Sequence, residues 1–240
     1  MTLDVLPERT GGAAENMALD FMLLQRYPRE QALRFRHYRW RSPAFTFGYS
    51  QKISFVRAQL PSGETFDVCR RPTGGGVVDH RDDWTYSIVI PRGHPFEEAR
   101  ATQSYRAIHE ALAGALGAAG VPVALKSSPE PRAPAEPNGP AGICFERAEV
   151  FDVINSATGA KIAGGAQKRN KRGLLFQGSI WKPAAGSGAL DWDRFGAEFA
   201  GRLAGALGSD AAAMPWPEFS EDEVDALVEQ YRSPEWMEFR

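Results

Sequence analysis

Arg70-Arg71-Pro72-Thr73-Gly74-Gly75-Gly76-Val77-Val78-Asp79-His80 is the most unusual stretch of this chain. Three consecutive glycines after an apolar run let the backbone take up positive φ and approach a ligand closely, exposing N–H groups to an anion or a carbonyl oxygen. Arg70 and Arg71 at the entrance add fixed positive charge suited to phosphate or carboxylate. The same residues are also compatible with a glycine-rich hairpin carrying surface arginines. The pattern is neither a Walker loop nor a dinucleotide fingerprint.

Outward from this loop, Phe66 to Cys69 and Tyr86 to Ile90 read as strands flanking the glycine turn. On the N-terminal side, Leu33 to Gln51 reads as strand, turn, strand around Ser42-Pro43 and Gly48, preceded by a helix over Asn16 to Tyr27 with Met17, Phe21 and Leu24 on one face. On the C-terminal side, Tyr105, Ile108, Leu112 and Leu116 mark the longest helix, stopped by Gly120-Val121-Pro122. Residues 127–142 carry five prolines and few large apolar groups, so a mobile loop is expected there. Strands resume at Val150 to Ile154 and Leu174 to Trp181. C-terminal helices follow at about 191–231, one over Trp192 to Leu207 and one opened by the Ser220-Glu221-Asp222-Glu223 capping box. Strands and helices mix without strict alternation, which predicts an α+β fold, mixed or antiparallel sheets flanked by helices, over residues 1–240.

Bulk properties narrow the function. A net charge of −2 excludes a strongly basic nucleic-acid binder, and no apolar run reaches the length of a membrane span. The start, Met1 to Arg9, lacks a secretory h-region, and two distant cysteines are too few for a disulfide framework or a cysteine zinc site. A cytoplasmic chain with reduced thiols, no catalytic metal, no nucleic-acid or membrane partner, and a monomeric state is expected. His37, His94 and His109 lack metal-ligand spacing with one another.

A second constellation is Gly159-Ala160-Lys161-Ile162-Ala163-Gly164-Gly165-Ala166-Gln167, leading into Gln177-Gly178-Ser179-Ile180. A lysine among apolar and small residues is either simply solvated or sits where desolvation can lower its pKa or aim its charge at an oxyanion, and the glycines let a substrate lie against the backbone. The dense basic run Lys168 to Arg172 suits an acidic carrier domain or nucleotide phosphates, or else a solvated hairpin tip.

Arg70 to His80 resembles the RRxxGGGxVxxH signature of lipoate-protein ligases, and Lys161 to Gln167 resembles the KxxGxAQ segment of the same superfamily. Glu15 to Asp20, Thr46 to Gln51 and Arg232 to Trp236 are weaker echoes. The resemblance implies a biotin/lipoate protein ligase-like catalytic domain. Ile143-Cys144-Phe145-Glu146 is similar to the segment of cysteine-dependent octanoyltransferases whose thiol takes the acyl group, and Thr85-Tyr86-Ser87 is shared with them. On this basis Cys144 and Lys161 are the expected catalytic pair. Arg70, Arg71, Thr73, Gly74, Gly75, Gly76, Val77 and His80 are expected to bind substrate together with Gly164, Gly165 and Ala166. The implied partners are acyl carrier protein or another octanoyl donor, and a lipoyl-domain acceptor, with no cofactor. The alternative implied by the same family is a lipoate-protein ligase using ATP and magnesium, in which Arg70 and Arg71 would grip phosphates. An inactive carrier-binding module is a third reading, favoured if Lys161 lies in an ion pair away from any pocket. Cys69, inside an apolar strand, reads as an inert core thiol.

Overall fold

The computed structural model describes residues 1–129, 147–186 and 190–239. Cys144 and most of the proline-rich segment lie outside the described residues. In chain order the elements are β1 (Thr2–Gly11), α1 (Ala13–Gln25), β2 (Leu33–Trp40), β3 (Ala44–Phe47), α2 (Ile53–Arg57), β4 (Asp67–Arg70), β5 (Val77–Asp79), β6 (Asp83–Pro91), α3 (Pro95–Glu98), α4 (Ala101–Ala118), β7 (Val123–Leu125) and β8 (Val153–Asn155). They continue with β9 (Lys161–Asn170), β10 (Gly173–Trp181), α5 (Lys182–Ala185), α6 (Trp192–Ala206), β11 (Asp210–Ala213), α7 (Glu221–Arg232) and α8 (Pro234–Met237).

Among the described residues, eight strands form one sheet in the order β11-β1-β2-β6-β10-β9-β8-β7. β1 runs parallel to both β11 and β2, and the remaining pairs are antiparallel, so the sheet is mixed. A smaller sheet, β4-β3-β5, carries the glycine loop. The expected α+β class with mixed sheets and flanking helices is what is found. The apolar runs on either side of the glycine loop fall in different sheets. The glycine loop joins β4 to β5, both of which pair with β3, whereas the strand containing Tyr86 to Ile90 belongs to the large sheet. The two apolar runs flanking the loop therefore do not pair with each other.

Each face of the large sheet is covered, which explains why β6 is buried along its whole length. Side chains alternate along a strand, so Tyr86, Ile88 and Ile90 of β6 and Leu174 and Phe176 of β10 meet α4 and α6 in the main core. The intervening positions face α1 and the small sheet. Residues in register build two rows across four strands there: Gly164, Ser179, Thr85 and Tyr38 in one, Ala166, Gln177, Ser87 and Arg36 in the next. These rows are mostly polar in an otherwise apolar sheet, and they form the floor of the candidate site.

Strands β1 and β9 escape the sequence reading because neither shows clean alternation. β1 breaks register between Leu6 and Arg9, around Pro7, which has no N–H to give a ladder. β9 carries an extra residue near its start, since Val153 faces Ala163 while Ile154 faces Lys161. Consequently Ile162 and Ala163 both enter the main core, and Lys161 falls on the same side as Gly164.

Candidate active site

The glycine loop is folded around its own arginine. Arg71 donates from Nη1 to Thr46 Oγ1 at 2.9 Å, and from Nη2 to the carbonyls of Gly74 and Gly76 at 2.8 and 2.9 Å. Gly75 has φ of +91° and presses its carbonyl against Gly48, a conformation and a closeness that only glycines tolerate at both positions. Thr73 donates its hydroxyl to Gln177 Oε1 at 2.7 Å, and Gln177 Nε2 donates to Asp20 Oδ2 at 2.7 Å. Asp20 is in turn paired with the fully buried Arg36 at 2.7 Å. The loop is thus pinned to the sheet and, through it, to α1.

Arg70 has a different place from the one its motif suggests. Its guanidinium is fully buried and donates to the carbonyls of Tyr49 and Gln51 at 2.7 Å and of Trp236 and Met237 at 2.8 Å. It ties the β3–α2 connection to the last helix and lies outside the pocket lining. Arg70 was expected to bind substrate; in the fold, four backbone oxygens occupy its fork.

His80 closes the β5 side. Its Nδ1 lies 2.6 Å from Asp83 Oδ2 and its Nε2 2.7 Å from Thr46 Oγ1, with Trp40 stacked on the ring at 4.1 Å. Thr85 and Ser179 also donate to Asp83 Oδ2.

Lys161, the first residue of β9, is only 5% exposed in its side chain and forms an ion pair of 2.8 Å with Asp152, whose side chain is 1% exposed. Its Nζ also donates to the Arg147 carbonyl at 3.2 Å. A pocket of about 40 Å³ lies between these groups, lined by Lys161, Gly164, Gly165, Ala166, Arg71, Gly75 and His80 from the two motifs and by Met17, Trp40 and Gln177 beside them. Of the residues expected to bind substrate, Thr73 reaches the site through Gln177, whereas Gly74, Gly76 and Val77 shape the loop without lining the pocket. The ion pair of Lys161 lies at the pocket, not away from one, which removes the condition that favoured an inactive binding module.

The sequence reading missed Asp20, Asp83, Tyr105 and Asp152. A signal was available for the last: an aspartate inside the apolar run Val150-Phe151-Asp152-Val153-Ile154 implies a buried carboxylate with partners. Cys69 is buried at 1% exposure, and burial pushes its thiol well up, as an inert core position should. In the basic run, Lys168 sits 4.5 Å from the Tyr49 ring centroid, and Arg169 donates to the carbonyls of Glu97 and Ala99. Among the described residues, no cluster of three or more His, Cys, Asp and Glu side chains is placed to hold a metal, and no helix is long and apolar enough to cross a membrane.

The class defined by this architecture is visible in solved structures. A putative lipoate protein ligase of T. acidophilum with bound lipoic acid superposes with a TM-score of 0.71 at 17% identity, covering 99% of each chain. A lipoate-protein ligase A bound with ATP superposes with a TM-score of 0.69 at 17% identity, covering 99% of this chain and 98% of that one. The chain belongs to the lipoyl protein ligase A/B catalytic domain family, whose model matches residues 12–182. Similar sequences include the octanoyltransferases LipM of Bacillus cereus, 33% identical over 70% of this chain and 60% of that protein, and of Oceanobacillus iheyensis, 36% identical over 70% and 59%. The chain thus spans about 60% of the length of these relatives.

Proposed function

We propose that this protein transfers an octanoyl group from a carrier-protein thioester to a lysine of a lipoyl domain, through an acyl-enzyme on Cys144. The observation that carries the reading is the placement of Lys161. A buried ammonium, oriented by an ion pair, faces a glycine-lined pocket where an acyl carbonyl can lie against the backbone. The relatives named octanoyltransferases support the same reaction.

In the first step the Cys144 thiolate attacks the thioester carbon. A carbon–sulfur bond to the enzyme forms, the bond to the donor sulfur breaks, and the donor leaves as a thiol by taking up the proton that Cys144 gave up on ionising. In the second step the acceptor amine attacks the acyl-enzyme, a carbon–nitrogen bond replaces the carbon–sulfur bond, and the amine's proton returns to the departing sulfur. Lys161 stabilises the negative charge that develops on the carbonyl oxygen in both steps. Taking the octanoyl tail out of water is worth on the order of 5 kcal/mol, enough to select chain length. Residues 1–240 act as one catalytic unit without a cofactor.

Arg70 and Arg71 bear on the alternative. In an ATP-dependent ligase they would hold phosphates, with ATP and magnesium as co-substrates, yet here both guanidiniums are engaged by protein oxygens. That engagement favours transfer from a thioester. The test mixes the protein with octanoyl carrier protein in the absence of ATP. An added acyl mass that vanishes in Cys144→Ala is expected. Lipoyl-domain acylation that requires ATP and survives this substitution would overturn the transferase reading in favour of the ligase.

A further inference from the structure

Asp152 has no part in either sequence motif, yet the site is built around it. We infer that Asp152 is the positioning residue of Lys161, and that Tyr105 couples this ion pair to the backbone of the glycine-containing strand β9. The inference rests on the reading of Lys161 as the group that meets the acyl carbonyl.

Four features support it. First, both oxygens of the carboxylate are engaged. Oδ2 accepts from Lys161 Nζ at 2.8 Å and from the Glu149 N–H at 2.7 Å, while Oδ1 accepts from the Tyr105 hydroxyl. A carboxylate held by several donors has one orientation, and the ammonium paired with it inherits that orientation.

Second, the backbone is bent to place it. Phe151 has φ of +70°, alone among the described non-glycine residues in that region, where a bulky side chain is strained. The bend is held from both sides: the Phe151 N–H donates to the Lys126 carbonyl at 2.9 Å, and the Phe151 carbonyl lies 2.7 Å from His109 Nδ1. Strain kept in place by surrounding bonds, next to a pocket, marks a position the site requires.

Third, β9 makes room for the pair. A Cβ on Gly164 would lie 2.7 and 2.8 Å from Lys161 Cε and Nζ, and 3.2 Å from Asp152 Oδ1. The glycine of the motif therefore serves the ion pair as well as the ligand.

Fourth, Tyr105 links the pair to the strand. Beyond Ala163 the edge of β9 is no longer paired with β8, and the Gly165 N–H donates to the Tyr105 oxygen at 3.0 Å. This N–H is accordingly not free to serve as an oxyanion donor. Its bond sets the height of the strand relative to the Asp152–Lys161 pair.

The test is a double-mutant cycle on Asp152→Asn and Lys161→Ala, assayed with octanoyl carrier protein without ATP and, separately, with octanoate plus ATP. With whichever donor the enzyme turns over, Asp152→Asn should lower kcat by about 100-fold while KM changes little, since a misaimed group impairs the reaction more than the binding. The double variant should be no slower than Lys161→Ala, because Asp152 acts through Lys161. Asp152→Glu should recover part of the loss, and Tyr105→Phe should show a smaller one. Losses that multiply in the double variant overturn the inference, as does an Asp152→Asn enzyme with unchanged kcat. Turnover only with ATP sinks the transferase reading and leaves the cycle interpretable. If neither donor is used, or a variant fails to fold, the Lys161 ammonium resonance decides. It should be slow to exchange with water in the wild type and in Tyr105→Phe; rapid exchange in the wild type would overturn the inference.

Discussion

The carbonyl oxygen of Gly75 sits so close over Gly48 that a methyl group built on Gly48 would lie 2.0 Å from it. The backbone carbons of Gly74 and Gly75 would be 2.8 and 2.9 Å from the same methyl group, so no side-chain rotation could relieve the clash. Gly48→Ala must displace the glycine loop. The expected result is a folded protein with kcat/KM lowered by about 100-fold. Gly201→Ala, on α6 with nothing within 4 Å of the added atom, is the matched control and should gain about 1 kcal/mol of stability without loss of activity.

Arg70 should behave as a structural residue. Arg70→Met removes the donors to four buried or half-buried carbonyls, a loss of about 3 kcal/mol or more. Thermal unfolding should drop by roughly 10 °C for a chain of this size. Below that transition the KM for the acyl donor should be unchanged. A raised KM with unchanged melting would instead return Arg70 to the role its motif suggests.

His109 predicts an acid-side loss of stability. Burial lowers its pKa to about 4, from an ordinary value near 6.5, against the opposing pull of Asp152 and the bond to the Phe151 carbonyl. Between these values the unfolded chain takes up a proton that the folded chain refuses. Stability is therefore complete above about pH 6.5 and falls by about 3 kcal/mol as the pH drops toward 4, with no further contribution below. His109→Asn keeps a donor for the Phe151 carbonyl and removes the titration. With each protein's urea stability referred to its own value at neutral pH, the wild type should lose about 3 kcal/mol more than His109→Asn by about pH 4; equal losses would show that His109 is not the source.

Cys69 should be chemically silent in the native state. Its sulfur is buried beside the Tyr231 carbonyl, and burial pushes the thiol up, so the reactive thiolate is scarce. Iodoacetamide should leave Cys69 unmodified in the folded protein and label it readily in urea. Cys69→Ala should retain activity, and loss of acyl-enzyme in that variant would contradict the assignment of the thiol to Cys144.

Local chemistry was enough to read several elements directly from the chain. The spacing of Trp192, Phe195, Phe199 and Leu203 is that of α6, and the Ser220 cap opens α7 because its hydroxyl accepts from the Glu223 N–H. The two motifs were legible through their order and their resemblance to a family, since a glycine hairpin or a solvated lysine would account for either stretch alone. Tertiary structure alone decided what those residues touch. Arg70 and Arg71 are neighbours in sequence, but strand alternation sends the first to the carbonyls of a helix 166 positions later and folds the second into the glycine loop. Asp152 becomes the partner of Lys161 only because β9 gains one residue opposite β8, which turns the lysine onto the side of Gly164. Periodicity describes which side of an element a residue occupies. Register between distant strands determines what it meets there, and no local pattern encodes that register.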